Sequence, residues 1–301
     1  MKSRSSTLVL VAGTLAATST AYAQPNVLIA AAATTIITDC RFVDVQTKLM
    51  GTGFFSSVDV FNANAGTPTL AQLQAYDAVL TWSNSPWSNA TAMGDVLADY
   101  VDAGGGVVVG TFANASIRLA GRWINGNYEA IIGGSGQTQG AAFLGTVHVP
   151  AHPIMDGVGT FNGGSSSFRP TATALNPGAI SIAEWSDGRV LVAENANGQV
   201  VDLAMYPPSS DCRSDFWASG TDGARLMANA LLYVAGGGPC YPDCDTSTGV
   251  GVLDIFDFLC FGNRFAANDP FACDCDTTTG VGVCDIFDFL CFGNAFNAGC
   301  P

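Results

Sequence analysis

Apolar and polar positions along the first half of the chain fall into alternating blocks. Short, continuously apolar runs are typical of strands buried on both faces, and between them apolar residues recur at helical spacing. The predicted strands are 26–32, 54–61, 76–82 and 107–109, and the predicted helices are 39–50, 69–74 and 90–103. Strands that alternate with helices in this way predict a mainly parallel sheet with helices on both faces.

The second half of the chain is less regular. Its glycine- and serine-rich stretches, 133–140 and 157–167, predict loops. Short β-like runs follow, and a helix closes the region before the glycine-rich joint 236–239. The predicted strands are 179–183, 190–193 and 200–204, and the predicted closing helix is 223–234.

The first 23 residues have the form of a secretory signal peptide. Lys2 and Arg4 precede a short apolar core at 8–17, and Ala21-Tyr22-Ala23 fits a small-x-small cleavage site. No later segment reaches the about 18 apolar residues that a membrane-spanning helix needs. The predicted organisation is a signal peptide at 1–23, an α/β domain at 24–235, a linker at 236–239 and a small module at 240–301.

Charge and cysteine content fit an exported protein. The formal net charge is −14, and the residues after Pro239 hold nine aspartates against one basic residue, Arg264. This concentrated acidity argues against nucleic acid or an anionic membrane as partner and favours cations. Ten cysteines, eight of them after Pro239, suit an oxidising compartment. We therefore expect a secreted or cell-surface protein.

The C-terminal region contains the same unit twice. The decapeptide at 254–263 recurs unchanged at 285–294, and Asp-Cys-Asp at 243–245 recurs at 274–276. Aspartates at loop positions 1, 3, 9 and 12, with a carbonyl at 7 and glycine at 6, suit calcium, although three extra residues interrupt each loop. The predicted ligands of two calcium ions are Asp243, Asp245, Val252, Asp254 and Asp257, and Asp274, Asp276, Val283, Asp285 and Asp288.

This pair of loops resembles a dockerin type I-like module of the cysteine-rich variety found at the C-termini of secreted bacterial proteins. The resemblance covers 240–301 and implies docking onto a cohesin-like or other cell-envelope protein through the helix that follows each loop. Its implied contacts are Ile255, Phe256, Ile286 and Phe287. Two other interpretations stay open: a disulfide-linked tail that binds no metal, and apolar residues that serve only the module's own core.

Several phrases in the preceding domain resemble the class I glutamine amidotransferase-like superfamily. They are Tyr76-Asp-Ala-Val-Leu-Thr-Trp82, the stretch 97–109, His152-Pro-Ile-Met-Asp-Gly-Val158 and the stretch 227–232. The resemblance covers roughly 26–236 and implies a flavodoxin-like three-layer α/β core. The expected fold is thus such a core with a mainly parallel sheet, followed by a small α-helical calcium-binding module.

The catalytic residues of that superfamily are not visible in this sequence. Its catalytic members carry a cysteine at the turn after the fourth strand, where this chain has Thr111. The two histidines, His148 and His152, lack the His-x-Glu pairing that the resemblance would supply. We therefore expect no glutaminase activity. Two alternatives are a tethered carbohydrate-acting hydrolase or isomerase of the trehalose-utilisation branch, and a carbohydrate-binding module that uses tryptophans, with Trp87 the best candidate for exposure.

Other side chains in this domain have a functional and a structural interpretation. His152 could serve acid–base chemistry or cap a loop, and Arg118, Arg122 and Arg169 could bind an anion or form internal ion pairs. If the eight cysteines of the tail pair among themselves, Cys40 and Cys212 can pair only with each other. We therefore expect a disulfide between them.

Overall fold

The structure is a computed structural model that describes residues 24–134, 136–237, 244–245, 253–273, 275 and 283–298. The predicted signal peptide at 1–23 lies outside these residues, as does part of the predicted linker. No helix in the described ranges combines the length and the apolar character that crossing a bilayer requires.

An eight-stranded sheet forms the centre of the larger region, with strand order β2-β1-β3-β4-β10-β9-β8-β6. Strands β5 and β7 pair separately. The bounds are β1 Asn26–Ala31, β2 Ser57–Asn62, β3 Ala78–Thr81, β4 Gly106–Gly110, β5 Gln137–Thr138, β6 Leu144–Val147, β7 Arg169–Pro170, β8 Ile180–Trp185, β9 Val190–Glu194 and β10 Val200–Leu203.

Helices occupy both faces of this sheet and the C-terminal region. Their bounds are α1 Cys40–Gly51, α2 Leu70–Leu73, α3 Ala90–Asp102, α4 Arg122–Asn125, α5 Gly223–Leu232, α6 Ile255–Ala266, α7 Pro270–Cys273 and α8 Ile286–Ala298. A 3₁₀ turn spans Pro153–Met155, and a π-type turn at Tyr233–Gly237 follows α5.

The sheet is parallel in one part and antiparallel in the other. Strands β2, β1, β3, β4 and β10 run parallel, with Val79 opposite Val107 and Val108 opposite Val201. Strands β9, β8 and β6 then extend the sheet in antiparallel fashion. The mainly parallel sheet expected from the sequence is confirmed, and β6 is an additional strand that the apolar pattern did not predict.

Two apolar cores lie on opposite faces of the sheet, so the three-layer arrangement is confirmed. One core contains Phe42, Val45 and Leu49 of α1 together with side chains of α5. The other contains Met93 and Leu97 of α3. Both long helices begin at a polar cap, because Asp39 accepts the backbone N–H of Arg41 and Asn89 accepts that of Ala92.

Disulfides connect elements in both regions. Cys40 at the start of α1 bonds to Cys212, which lies in the segment between β10 and α5. In the tail, the bridges among described residues are Cys244–Cys260, Cys273–Cys284 and Cys275–Cys291. Small modules with little core of their own depend on such cross-links.

Candidate functional site

The carboxyl ends of parallel strands are where folds of this kind place their ligands. At these ends, the turn after β4 is hydrogen-bonded to the segments that follow the two neighbouring strands, β3 and β10. The N–H of Thr111 donates to Met205 O, and the N–H of Phe112 donates to Ser83 O. A Cβ added at Gly110 would come within 2.7 Å of Pro207. The chain is therefore tightly packed at this turn.

Thr111 is the residue that stands where catalytic members of the resembled superfamily are expected to carry a cysteine. Its side chain is 0% exposed. Its Oγ1 finds no hydrogen-bond partner within the described part of the chain, so no base activates it there.

Aromatic side chains fill the space in front of this turn. Phe112 follows Thr111, and its ring centroid lies 5.1 Å from that of Phe168 and 5.4 Å from that of Tyr206. Phe216 packs on Tyr206 at 4.9 Å. The adjacent cavity, lined in part by Phe168, Tyr206 and Phe216, has a volume of about 10 Å³, barely enough for one water molecule. We call Phe112, Phe168, Tyr206 and Phe216 the aromatic cluster.

His152 lies near the amino ends of the parallel strands, whereas Thr111 lies at their carboxyl ends. Its Nε2 is 3.3 Å from a carboxylate oxygen of Glu194. Glu194 pairs with Val201 near the amino end of β10, so His152 is remote from the turn at the carboxyl edge. Its Nδ1 accepts the N–H of Ile154, which caps the 3₁₀ turn, and its side chain is buried. The structure thus gives His152 the capping role, not a place in a triad with Thr111.

The surroundings of His152 stabilise a charged carboxylate. Burial by itself raises the pKa of Glu194, but hydrogen bonds from His152 and Tyr233 reverse this effect, and the net pKa of Glu194 is lowered. The pKa of Tyr233 is raised, first by burial and then by its hydrogen bond to Glu194. The His152 and Tyr233 rings lie 4.8 Å apart, so the three side chains form a packed structural unit.

His148 is also too far from Thr111 to serve it. It follows β6, and its backbone N–H donates to Ile182 O. Strand β6 lies four positions from β4 in the sheet, which corresponds to roughly 19 Å at ordinary strand spacing. The Nε2 of His148 instead lies 3.1 Å from Glu184 Oε1. The two histidines and Thr111 therefore occupy three separate places.

A buried acidic cluster that the sequence analysis missed lies under the segment between β4 and β5. Asp202 of β10 is 0% exposed and accepts the backbone N–H groups of Ala130 and Ile131 at 2.7 and 2.9 Å. Asn114 donates its side-chain N–H to the same carboxylate at 3.1 Å. A charged residue inside the apolar run Val200-Val-Asp-Leu203 was the available signal, because buried charges need partners.

Glu129 completes this cluster, and both of its acids have raised pKa values. Burial, followed by the charge of Asp202, raises the pKa of Glu129 to about 7, although Arg118 lies 2.8 Å away and opposes the rise. Burial raises the pKa of Asp202 to about 6. Carboxyl groups with pKa values near neutrality can gain or lose a proton at physiological pH. Both of these groups are buried, and Asp202 holds the segment at 130–131 in place through its two backbone hydrogen bonds.

The other polar and aromatic candidates have structural partners. Arg118 pairs with Glu129, Arg122 with Asp99 and Asp102, and Arg169 with Asp187. The arginines thus form internal or surface ion pairs. Trp87 is 8% exposed and the other tryptophans are more deeply buried, so the expectation of an exposed Trp87 was wrong. Its indole N–H donates to Ile117 O, which explains why the ring turns inward.

The predicted calcium ligands are only partly described by the structure. Asp243, Val252, Asp274 and Asp276 lie outside the described residues. Asp245, Asp254, Asp257, Val283, Asp285 and Asp288 lie within them. Among described residues, the single group of converging potential ligand atoms is Asp39, Cys40 and Cys212, whose two sulfurs are already joined in a disulfide.

The carboxylate of Asp257 brings the two ends of the first loop together. Asp257 is 0% exposed at the third position of α6, and its oxygens accept the N–H groups of Asp245 at 2.8 Å and Asp254 at 2.7 Å. Asp254 in turn caps α6. In the second copy, Asp288 is equally buried and accepts the N–H of Asp285 at 2.9 Å. Carboxylate oxygens are ligands that calcium prefers, but Asp245, Asp254 and Asp257 are not among the described side chains whose potential ligand atoms converge.

Both repeat helices expose large apolar side chains. Ile255 is 65% exposed and Ile286 64%, and Phe256 and Phe287 are 48% and 47% exposed. Leu259 and Leu290 are also exposed on these helices. We call the two sets, 255, 256 and 259 and 286, 287 and 290, the apolar patches. Exposed apolar surface of this kind commonly marks an interaction site.

Comparisons with known proteins place the core among solved folds. No family model matches the chain, and no curated protein matches its sequence. A ThuA-like protein from Bacteroides uniformis is 16% identical, covers 73% of this chain and 95% of its own, and has a TM-score of 0.53. A ThuA-like protein from Parabacteroides merdae (15% identical, 70% of this chain, 90% of its own) and a GMP synthase protein from Thermoplasma acidophilum (8%, 71% and 96%) have TM-scores of 0.49 and 0.46. The first likeness shows that the core has the α/β fold of a ThuA-like protein, and it shows the fold alone.

Proposed function

We propose that this chain is an exported protein whose core lacks glutaminase chemistry and whose C-terminal repeats form a dockerin-like, calcium-binding docking module. The observation that carries this proposal is the repeated pair of apolar patches. Both patches stand on helices that begin with the same nine residues, 255–263 and 286–294, and each helix follows an acidic loop. The same side chains are exposed to nearly the same degree in both copies. This match favours a partner-binding surface over an incompletely buried core.

Calcium would be held by the two acidic loops. Asp254 and Asp257 in the first copy, and Asp285 and Asp288 in the second, would supply ligands at loop positions 9 and 12. The N–H bonds from Asp245 and Asp254 to Asp257 support this assignment, because they already draw both ends of the loop toward one carboxylate. An ion would offset the mutual repulsion of the aspartates that each loop brings together.

The partner would be a cohesin-like or other cell-envelope protein that covers the apolar patches. Its contact residues on this chain would be Ile255, Phe256, Ile286 and Phe287. The disulfides support an oxidising location for the protein, secreted or on the cell surface.

Calcium-dependent capture tests the docking proposal. Immobilised full-length protein is incubated with a cohesin-type module and with solubilised envelope proteins, in calcium or in excess chelator. We expect calcium-dependent capture that Ile255→Asp combined with Ile286→Asp abolishes. The exposed substitution Ile180→Asp in the core is the matched control, since Ile180 is 42% exposed and far along the chain from the repeats. Capture that ignores both calcium and the patch substitutions would refute the proposal.

A second candidate function is a tethered carbohydrate-acting enzyme of the trehalose-utilisation type. What favours it is the fold shared with a ThuA-like protein, together with the raised pKa values of Glu129 and Asp202. Release of reducing sugar from oligosaccharides, lost in Glu129→Gln but retained in Glu184→Gln, would support this candidate. The third interpretation, sugar binding by tryptophans, loses its basis because all five indoles are buried.

A further inference from the structure

A cavity of about 530 Å³ lies beside β6, the edge strand of the large sheet. One wall is β6 itself, and the other is the segment 158–162, which returns alongside it. The two walls are joined at one end, where Phe143 pairs with Asn162. Next to this pair, Leu144 donates its N–H to Phe161 O. Ligand pockets of proteins have volumes of about 300–1,000 Å³, so this cavity is large enough for a small molecule.

The buried part of the lining is apolar, and one aromatic side chain stands at the rim. Val158 and Phe161 are buried, and the Phe161 ring packs on Trp185 with centroids 5.2 Å apart. Phe143 is 49% exposed, yet its backbone is fixed. Its N–H donates to the Oγ of Ser186, and its carbonyl accepts the N–H of Ser186. An exposed ring on a fixed backbone offers a flat apolar face to a ligand.

The polar side chains of the lining are uncharged and include both donors and acceptors. In the described part of the chain they are Thr160, Asn162 and Thr221. Asn162 accepts the N–H of Gly164 with its Oδ1 at 3.0 Å, which leaves its amide nitrogen as a donor. The hydroxyls of Thr160 and Thr221 already donate to Asp222 and to Ala218 O, so their oxygens remain as acceptors.

The absence of charge from this lining disfavours ionic ligands. Among the described residues, no carboxylate or cationic side chain lines the cavity. An ionic ligand would therefore lose its hydration there without gaining a counter-charge. A hydroxyl group both donates and accepts, so it matches the one amide donor and the two threonine acceptors.

Asp222 fixes one wall of the cavity from outside the lining. Its Oδ2 accepts the N–H of Gly159 at 3.0 Å, and it accepts the N–H and the hydroxyl of Thr160 at 2.7 and 2.9 Å. Gly159 faces open space, since a Cβ added there would meet no atom within 4 Å. The wall is therefore held in position while its backbone stays open to close approach by a ligand.

We propose that this cavity binds a small uncharged molecule that combines an apolar face with hydroxyl groups, as a neutral sugar ring does. The apolar face lies on the ring of Phe143. The hydroxyl groups accept from the amide of Asn162 and donate to the oxygens of Thr160 and Thr221. This binding site belongs to the core and requires neither the calcium loops nor the apolar patches of the tail.

Titration of the full-length, oxidised protein with defined oligosaccharides tests the proposal. Maltohexaose, cellohexaose and xylohexaose are the neutral probes, trigalacturonic acid is the anionic comparison, and isothermal calorimetry measures binding. We expect binding of a neutral probe but not of the anionic one, with equal affinity in calcium and in chelator. Failure of all three neutral probes to bind would overturn this proposal and leave the docking proposal standing. Binding that requires calcium would overturn it too, because it would place the site in the tail.

Two substitutions remove the proposed contacts one at a time. Phe143→Ala should weaken binding about tenfold through the loss of one aromatic contact. Met50→Ala is the matched control and should leave the affinity unchanged, since Met50 is 42% exposed and lies on α1. Asn162→Asp keeps the acceptor for Gly164 but replaces the donor by a charge, so it should also weaken binding.

A blocking substitution gives an independent readout. Gly159→Leu places a side chain in the open space of the cavity and should abolish binding. Gly51→Leu is its control, because a Cβ added at Gly51 also meets no atom within 4 Å. Thermal unfolding verifies that each variant folds, and Gly159→Leu decides the matter if Phe143→Ala does not. Binding that survives Gly159→Leu at full affinity would overturn the proposal.

Discussion

The ring of Phe261 stacks on the ring of Phe292 with centroids 4.0 Å apart. Among the described residues, the other ring contacts between α6 and α8 come in equivalent pairs around them. Position 261 in the first repeat corresponds to 292 in the second. The equivalent pairs are Phe258–Phe292 at 5.1 Å with Phe261–Phe289 at 5.0 Å, and Phe258–Phe296 at 4.4 Å with Phe265–Phe289 at 4.5 Å. The two helices are therefore antiparallel and related by an approximate twofold axis that passes between Phe261 and Phe292.

This symmetry predicts that Phe261→Ala and Phe292→Ala destabilise the module equally. Both side chains are 0% exposed, and truncating a buried phenylalanine costs about 3–5 kcal/mol. Urea unfolding of the full-length protein, followed by far-UV circular dichroism of the tail transition, gives the two values. Phe256→Ala is the control, and we expect a change below about 1 kcal/mol because its ring is exposed. Strongly unequal losses would contradict the symmetric packing.

Calcium should stabilise the tail, with two ions bound per chain. An ion that binds only the folded state at a hundredfold excess over its Kd adds about 2.7 kcal/mol. Calorimetry should give a stoichiometry of two for the wild type and one for Asp257→Ala. A stoichiometry of zero in protein with oxidised cysteines would rule out these sites.

The core should release no ammonia from glutamine. That reaction needs a thiolate, a histidine base and an acid that orients the base. Thr111 carries no thiol and is 0% exposed, and its Oγ1 has no hydrogen-bond partner among the described residues. Coupled assay of ammonia should match the background rate, with and without a thiol-alkylating reagent. Turnover that alkylation abolishes would force a catalytic role for a cysteine that the structure places in a disulfide.

The stability of the core should depend on pH through Glu129. Its folded pKa of about 7 lies above the ordinary value of 4.5, so the folded state holds this proton more tightly than the unfolded state. The resulting stabilisation is complete below about pH 4.5 and is lost as the pH rises to about 7, and it amounts to at most about 3 kcal/mol. Scanning calorimetry of Glu129→Gln, compared with wild type from pH 4.5 to 8, should show a flatter dependence. Parallel curves would refute this assignment, and Glu184→Gln serves as the partly exposed control.

Removing the disulfide of the core should lower its stability. Cys40 and Cys212 are 172 residues apart, and closing so long a loop restricts the unfolded chain strongly. We expect Cys40→Ser with Cys212→Ser to lose about 2–5 kcal/mol, measured by guanidinium unfolding of the core transition. An unchanged midpoint would show that the segment around Cys212 is fixed by other contacts, such as the bonds from Ser209 to Asp44.

Much of the parallel part of the fold could be predicted because its signal is local. The predicted strand 26–32 is β1 at Asn26–Ala31, and the predicted helix 90–103 is α3 at Ala90–Asp102. Buried strands and amphipathic helices carry their own periodicity, so each is recognisable without its neighbours. Strand β6, at Leu144–Val147, has no continuous apolar run because it lies at the edge of the sheet and is only half-buried.

The candidate sites were harder to predict than the strands and helices, because they bring together residues that are far apart in the sequence. Asp202 and Glu129 are 73 positions apart, and only the course of the chain brings the loop before β5 onto β10. Likewise, nothing local to His152 says that it lies at the amino edge of the parallel strands. The acidic repeats were visible because duplication shows in the sequence itself, and their metal binding stays a prediction.

The aromatic cluster at the carboxyl edge has a consequence for motion. In related folds this edge consists of loops that open and close, and such loops exchange their amide hydrogens quickly. Here Phe112 and Tyr206 hold the segments after β4 and β10 together, and Thr111 donates its amide to Met205. We therefore expect the amides around Thr111 to be among the slowest to exchange with deuterated solvent, so that the edge where such folds usually bind their ligands is the rigid part of this core.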